Sequence, residues 1–226
     1  MTTLRAIGLI LHKDLLVELR TREVLTTMVL FALLVVVLFA LAFNVDQDAA
    51  REVAPGILWV TVAFAGNLGV GRVMERERDH GCMAGLLLGP GGPVAVFCAK
   101  ALGVLIFMTI MLIVVVPLTL MFVGIDVPPG GLGLLVAALL LGAIGFSLIA
   151  TLFGAMLGEA RLRELLIPLV VYPVVVPVLI AGVKLTSAAL GQGIEGETGS
   201  WLAIMAGFDL IFIALAPWVF ARVMVE

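Results

Sequence analysis

Six apolar runs, each long enough to cross a bilayer, decide what this chain can fold into. They occupy residues 24–44, 54–74, 94–123, 132–157, 165–184 and 201–222. A helix of roughly 20 residues, rising 1.5 Å per residue, crosses about 30 Å of hydrocarbon. Inside that layer backbone groups have no water to bond, so spanning structures are helices or closed barrels. Barrel strands alternate apolar and polar residues. The runs here are continuous, which predicts an all-α membrane protein with six transmembrane helices. The third and fourth runs are longer than a perpendicular crossing needs and should tilt or fray. Mean hydropathy is +1.27. With 63% hydrophobic and 13% charged residues, the chain is not a soluble globular domain, whose apolar share is nearer half.

The runs divide the basic residues unevenly. Arg5, Lys13, Arg20, Arg22, Arg72, Arg76, Arg78, Lys100, Arg161, Arg163 and Arg222 fall on one side, and only Arg51 and Lys184 on the other. Lys and Arg are retained in the cytoplasm, so both termini are expected there. Residues 1–23 are charged throughout and lack the compact apolar core of a cleavable signal peptide. The net charge of −3 is spread over the loops and suggests no nucleic-acid partner.

Within residues 2–22, Leu4, Ile7, Leu11, Leu15 and Leu19 recur at helical spacing, with Arg5, His12, Lys13, Glu18 and Arg20 largely off that stripe. The pattern predicts an amphipathic helix lying in the membrane interface. A positively charged leader to the first span is the competing reading. Residues 45–53 suit a short acidic outer loop, and Ala54-Pro55-Gly56 the start of the second span, with Pro55 in its first turn. Trp59 then stands where an indole can anchor at the interface. Residues 126–131 form a tight outer turn and 185–200 a longer, glycine-rich outer loop. The whole chain, 1–226, is expected to be one permease domain: an interfacial helix over 1–23, a membrane bundle over 24–222, and a cytosolic segment near 72–93.

That cytosolic segment carries the densest charge. Arg72, Glu75, Arg76, Glu77, Arg78 and Asp79, followed by His80 and Gly81, would ring a helix and must face water or a partner. The signs are balanced, which suits a protein interface better than an anionic lipid surface, for which 4–8 uncompensated basic residues are expected. A solvated turn is the plainer alternative. Gly81, Gly85 and Gly89 follow at four-residue intervals, a smooth face for close helix approach. A second mixed-charge turn, with Glu159, Arg161, Arg163 and Glu164, lies on the same side. Gly89-Pro90-Gly91-Gly92-Pro93 lacks the Lys-Ser/Thr of a phosphate-binding loop, so ATP hydrolysis would have to come from another chain.

Inside the membrane, Pro168, Pro173 and Pro177 interrupt the hydrogen bonding of the fifth run. They suit either a broken helix lining a path or a kinked packing element. Asp209 stands in the middle of the sixth run, where a carboxylate costs about 2.5–3.5 kcal/mol and a functional or interface role is the default. Ala150, Gly154 and Gly158 make a small-residue face for helix pairing, within the subunit or across a dimer. Cys82 and Cys98 lack metal or redox spacing and suit buried thiols. His12 and His80 suit surface or interface positions. No catalytic constellation can be assembled, so the chain is expected not to be an enzyme. A stand-alone secondary transporter or substrate-binding membrane module, built around Asp209 and the prolines, is an alternative.

Residues 53–60 (VAPGILWV), the run Glu75-Arg76-Glu77-Arg78 with Gly81, Leu86-Leu87-Leu88, Pro90 and Lys100, and residues 154–164 (GAMLGEARLRE) with the three prolines resemble the CcmB family. This is the membrane permease of the ABC system in cytochrome c maturation. The resemblance covers essentially the whole length; Cys82-Met83-Ala84-Gly85 departs from the usual pattern. It implies an exporter-type permease of the bacterial inner membrane, paired as a homodimer with CcmA-like ATPase subunits. The segment from Glu75 to Gly81 would be the helix that seats in the ATPase. It also implies CcmC- and CcmD-like membrane partners and a CcmE-like haem chaperone, with ATP on the ATPase, haem as the cargo, and ATP hydrolysis driving haem export or release of the haem-loaded chaperone. Haem needs axial ligands and partners for its propionates. The outer loops offer neither a His nor an Arg cluster, which favours a subunit that transmits ATP energy over a direct haem carrier.

Overall fold

The computed structural model describes residues 3–42, 47–79, 85, 87–89, 91–157, 160, 162–192 and 196–224. Among these are seven long helices and no strand: α1 (Thr3–Thr21), α2 (Glu23–Ala42), α3 (Gln47–Asp79), α4 (Gly92–Val123), α5 (Gly131–Met156), α6 (Arg163–Ala189) and α7 (Thr198–Val223). Six are long and apolar enough to span a bilayer: α2, the Glu52–Val73 part of α3, α4, α5, Leu165–Ala189 of α6, and α7. The chain is therefore a multi-pass membrane protein, as the six apolar runs require. Six crossings return the chain to the side on which it began. The end of the bundle bearing both termini is called here the terminal face, and the other the distal face.

Three boundaries differ from expectation. Helix α3 begins at Gln47, so most of the expected acidic loop is helical and Pro55 lies well inside the helix rather than in its first turn. A helix can absorb the lost amide bond by a local bend when its neighbours hold it. At its other end α3 runs past the apolar part to Asp79. Its 33 residues reach about 50 Å at 1.5 Å each, well beyond the hydrocarbon layer. Helix α6 continues beyond Lys184 to Ala189, which shortens the distal loop.

Water drives little helix association inside lipid, so close fit carries the packing. Helix α4 touches α1, α2, α3, α5 and α7, while α3 touches α2, α4, α5 and α6. Phe97 of α4 and Phe220 of α7 meet with ring centroids 5.3 Å apart. Helices α2 and α7 turn much of their surface outward, including Leu30, Leu34, Leu38 and Leu41 on α2 and Leu210, Ile211 and Trp218 on α7. In a bilayer these meet acyl chains at no cost.

Helix α1 is oriented differently from its leucine pattern. Leu4 and Leu19 are 80% and 70% exposed, whereas Ala6 and Glu18 are buried. The face against the bundle is centred on Ala6, Ile10, Asp14 and Glu18, and it packs on α4. The reason is polar: Asp14 and Glu18 have partners in the bundle, and those bonds rotate the helix away from its apolar stripe. A single residue, Arg22, joins α1 to α2 in the left-handed region at φ 54°. Its N–H donates to the Glu18 carbonyl at 2.7 Å, and its carbonyl accepts from the Thr26 amide at 3.1 Å. A non-glycine residue held there costs on the order of 1 kcal/mol, which the surrounding bonds offset.

Candidate functional site

Two polar regions stand out in this apolar chain. The first is at the terminal face. Lys100, only 2% exposed, lies near the start of α4 and donates to Asp14 Oδ2 of α1 at 2.8 Å. Lys13 approaches the other Asp14 oxygen at 3.2 Å. One turn further along α1, Glu18 Oε1 accepts the Leu25 amide at 2.8 Å. That amide belongs to the first turn of α2, whose donors have no partner within the helix. A carboxylate there also meets the positive end of the helix dipole. Arg72 of α3 reaches Glu23 at the start of α2 at 3.2 Å, both side chains about half exposed. Ionic contacts thus join α1 to α4 and α3 to α2.

The second region is a seam among α3, α5, α6 and α7. The Trp59 indole, 2% exposed, projects from α3 and donates from Nε1 to Thr186 Oγ1 of α6 at 2.9 Å. Gly142 of α5 and Gly182 of α6 flank the ring so closely that a Cβ at either would overlap it. Trp59 is therefore a core residue joining three helices, not an anchor at the interface. Next along the seam is Asp209 of α7, 2% exposed. A Cβ on Gly145 would come within 2.5 Å of its Oδ1 and 3.3 Å of Val178. Neither carboxyl oxygen has a hydrogen-bond partner among the described residues. The same holds for Asn67 Oδ1 of α3, Thr151 Oγ1 of α5 and the Tyr172 hydroxyl of α6. Buried polar atoms left unpaired each cost on the order of 1–3 kcal/mol.

The sequence-predicted residues separate between these regions. Arg72 lies at the terminal face. Glu75, Arg76, Glu77, Arg78 and Asp79 continue α3 in one unbroken helix, and nothing is described of their side chains. His80, Gly81, Cys82, Glu159 and Arg161 lie outside the described residues; Arg163 and Glu164 open α6. Asp209 is in the seam. The prolines do not break α6: Pro168 is half-buried, and Pro173 and Pro177 face outward from one continuous helix. Ala150 and Gly154 are buried within the subunit, so this face pairs helices inside the chain, and Gly158 lies outside the described residues. Cys98 is a half-buried free thiol of α4, and His12 is exposed on α1. The Asp14–Lys100 pair was not foreseen. A lone lysine near the start of an apolar run and an aspartate amid α1's leucines were its signal.

Known proteins share this chain's length and pattern. The profile of the family described as CcmB protein matches residues 5–225. The Heme exporter protein B of Pseudomonas aeruginosa is 28% identical over 201 residues, covering 87% of each chain. That of Rhodobacter capsulatus is 29% identical over 210 residues, 92% of this chain and 94% of the relative. That of Bradyrhizobium diazoefficiens is 27% identical over 215 residues, 94% of each.

Proposed function

The chain belongs to the CcmB family, and from that premise we propose that it is the permease subunit of an ABC haem exporter serving cytochrome c biogenesis. ATP is hydrolysed on a separate CcmA-like subunit, and haem is the cargo of the complex. Two copies of the permease pair with that ATPase in the bacterial inner membrane, both termini in the cytoplasm. CcmC- and CcmD-like membrane proteins and a CcmE-like haem chaperone complete the system. The chain itself is not an enzyme.

One observation carries this reading. Helix α3 is a single rod that joins the charged run of Glu75, Arg76, Glu77, Arg78 and Asp79 to Trp59 in the seam. A push from the ATPase on the charged end moves the indole in its slot between Gly142 and Gly182. Helix α4 begins after the same segment and takes α1 with it through Lys100 and Asp14. Movement of Trp59 loosens α5 and α6, which close over Asp209. The unpaired polar atoms of Asn67, Thr151, Tyr172 and Asp209 disfavour the closed packing and gain water when the seam opens. The interior carboxylate therefore belongs to the conformational change rather than to a standing haem site.

The test is reversal of charge at the end of α3. Glu75→Lys with Glu77→Lys should remove at least nine-tenths of ATPase co-purification and of mature cytochrome c, while the permease still inserts at normal level. Normal recovery of both would overturn the assignment. The second reading, a stand-alone transporter, is favoured by the orphaned Asp209 alone. It requires haem movement by purified permease in vesicles without any ATPase, abolished in Asp209→Asn.

A further inference from the structure

At the distal face, where α6 hands over to α7, lies a cavity of about 220 Å³. That space is large enough for a small polar group. Its walls are unlike the surrounding surface. Lys184 and Ser187 of α6 face Gln192, Glu197, Thr198 and Trp201 across it. Trp201 Nε1 donates to Glu197 Oε2 at 3.3 Å, which fixes the carboxylate and keeps the indole at the rim. Lys184 makes no ion pair among the described residues. An ammonium and a carboxylate therefore line one cavity without bonding each other. A ligand carrying both charges, in the opposite order, fits that arrangement.

The surface leading away from the cavity is apolar. Pro173, Val176 and Ile180 of α6 are exposed at successive turns below Lys184, and Ile204 and Ile211 are exposed on α7. A soluble zwitterion has no use for that surface, but acyl chains do. Tryptophan at a membrane-interface level, with its ring in the apolar zone and its N–H toward polar groups, suits the same boundary.

We propose that the α6–α7 cavity seats the headgroup of a zwitterionic phospholipid bearing a primary ammonium. Its phosphate lies toward Lys184 and the hydroxyls of Ser187 and Thr198, its ammonium toward Glu197, and its chains along α6 and α7. The N–H donors of an ethanolamine headgroup can bond Glu197; a quaternary choline has none to offer. A glycerol headgroup leaves Glu197 facing a net negative charge. The site thus selects by headgroup at the distal face, and it stands independently of the transport reading.

Native mass spectrometry on the full chain with its partner subunits, extracted from vesicles of phosphatidylethanolamine, phosphatidylcholine and phosphatidylglycerol in equal amounts, tests this. Phosphatidylethanolamine should be retained at least tenfold over the other two. Lys184→Gln should lower that retention about tenfold, and Glu197→Gln should erase the preference over phosphatidylcholine. Arg5→Gln, exposed at the opposite face, should leave the retention unchanged. Lys184 and Glu197 are both exposed, so the variants should keep the wild-type thermal transition. Equal retention of the three lipids, or no effect of Lys184→Gln, would mean a nonselective lipid annulus and overturn the proposal. Displacement by millimolar glycerophosphoethanolamine as effective as by the intact lipid would overturn it too, in favour of a soluble ligand.

Discussion

The terminal face and the interior seam hold the same bundle together by opposite means. At the terminal face the contacts are directional and ionic: Lys100 with Asp14, Arg72 with Glu23, and Glu18 on the α2 amide. In the seam the fit is steric, an indole held between two glycines with one hydrogen bond at its tip. Ion pairs tolerate small displacements, because their attraction falls off gradually with distance. A ring in a slot does not, because any displacement either clashes or opens a void. The terminal face can therefore yield under load while the seam changes by discrete steps. That division suits the permease role proposed above.

Substitutions should separate the two regions. Trp59→Ala should do the most damage, about 3–5 kcal/mol as for other buried tryptophans, read as a loss of thermal stability in detergent. An effect below 1 kcal/mol would mean that the seam is not a steric lock. Lys100→Met should come next, about 2–3 kcal/mol. Stranding one member of a buried pair is costly, but Lys13 remains beside Asp14. Adding Asp14→Leu to Lys100→Met should recover part of that loss, as an electrostatic clamp requires and a packing role does not. Glu18→Ala removes a helix cap, worth about 1 kcal/mol, and should raise amide exchange at the start of α2 more than elsewhere. Arg72→Gln should be nearly silent, within about 0.5 kcal/mol, because an exposed ion pair gains little. A larger loss there would show that the α3–α2 contact is structural.

The spans were legible because a bilayer reads little but apolar length, and that is written locally in the sequence. Asp209 was legible as an anomaly for the same reason: nothing else in its helix resembles it. Its surroundings were not, since Gly145 and Val178 lie far from it along the chain and no local pattern marks them as neighbours. Trp59 shows the ambiguity of a large amphipathic ring, whose apolar body and single N–H suit an interface and a slotted core equally. The choice was made by Gly142, Gly182 and Thr186. Helix α1 failed in a different way. Its leucine spacing predicted one orientation, but two carboxylates with waiting partners outweighed an apolar stripe that lipid can accept on almost any side.

The two clamps also fix an order of events in biogenesis. Asp14 is synthesised 86 residues before Lys100, and Trp59 127 residues before Thr186. Asp14 of α1 must therefore wait, still hydrated, until α4 inserts. Trp59 has no hydroxyl to bond until most of the chain has left the ribosome. Individual helices can enter the bilayer as they emerge, yet neither lock can close early. A protease or quality-control factor would thus meet an inserted but unlatched intermediate for most of translation.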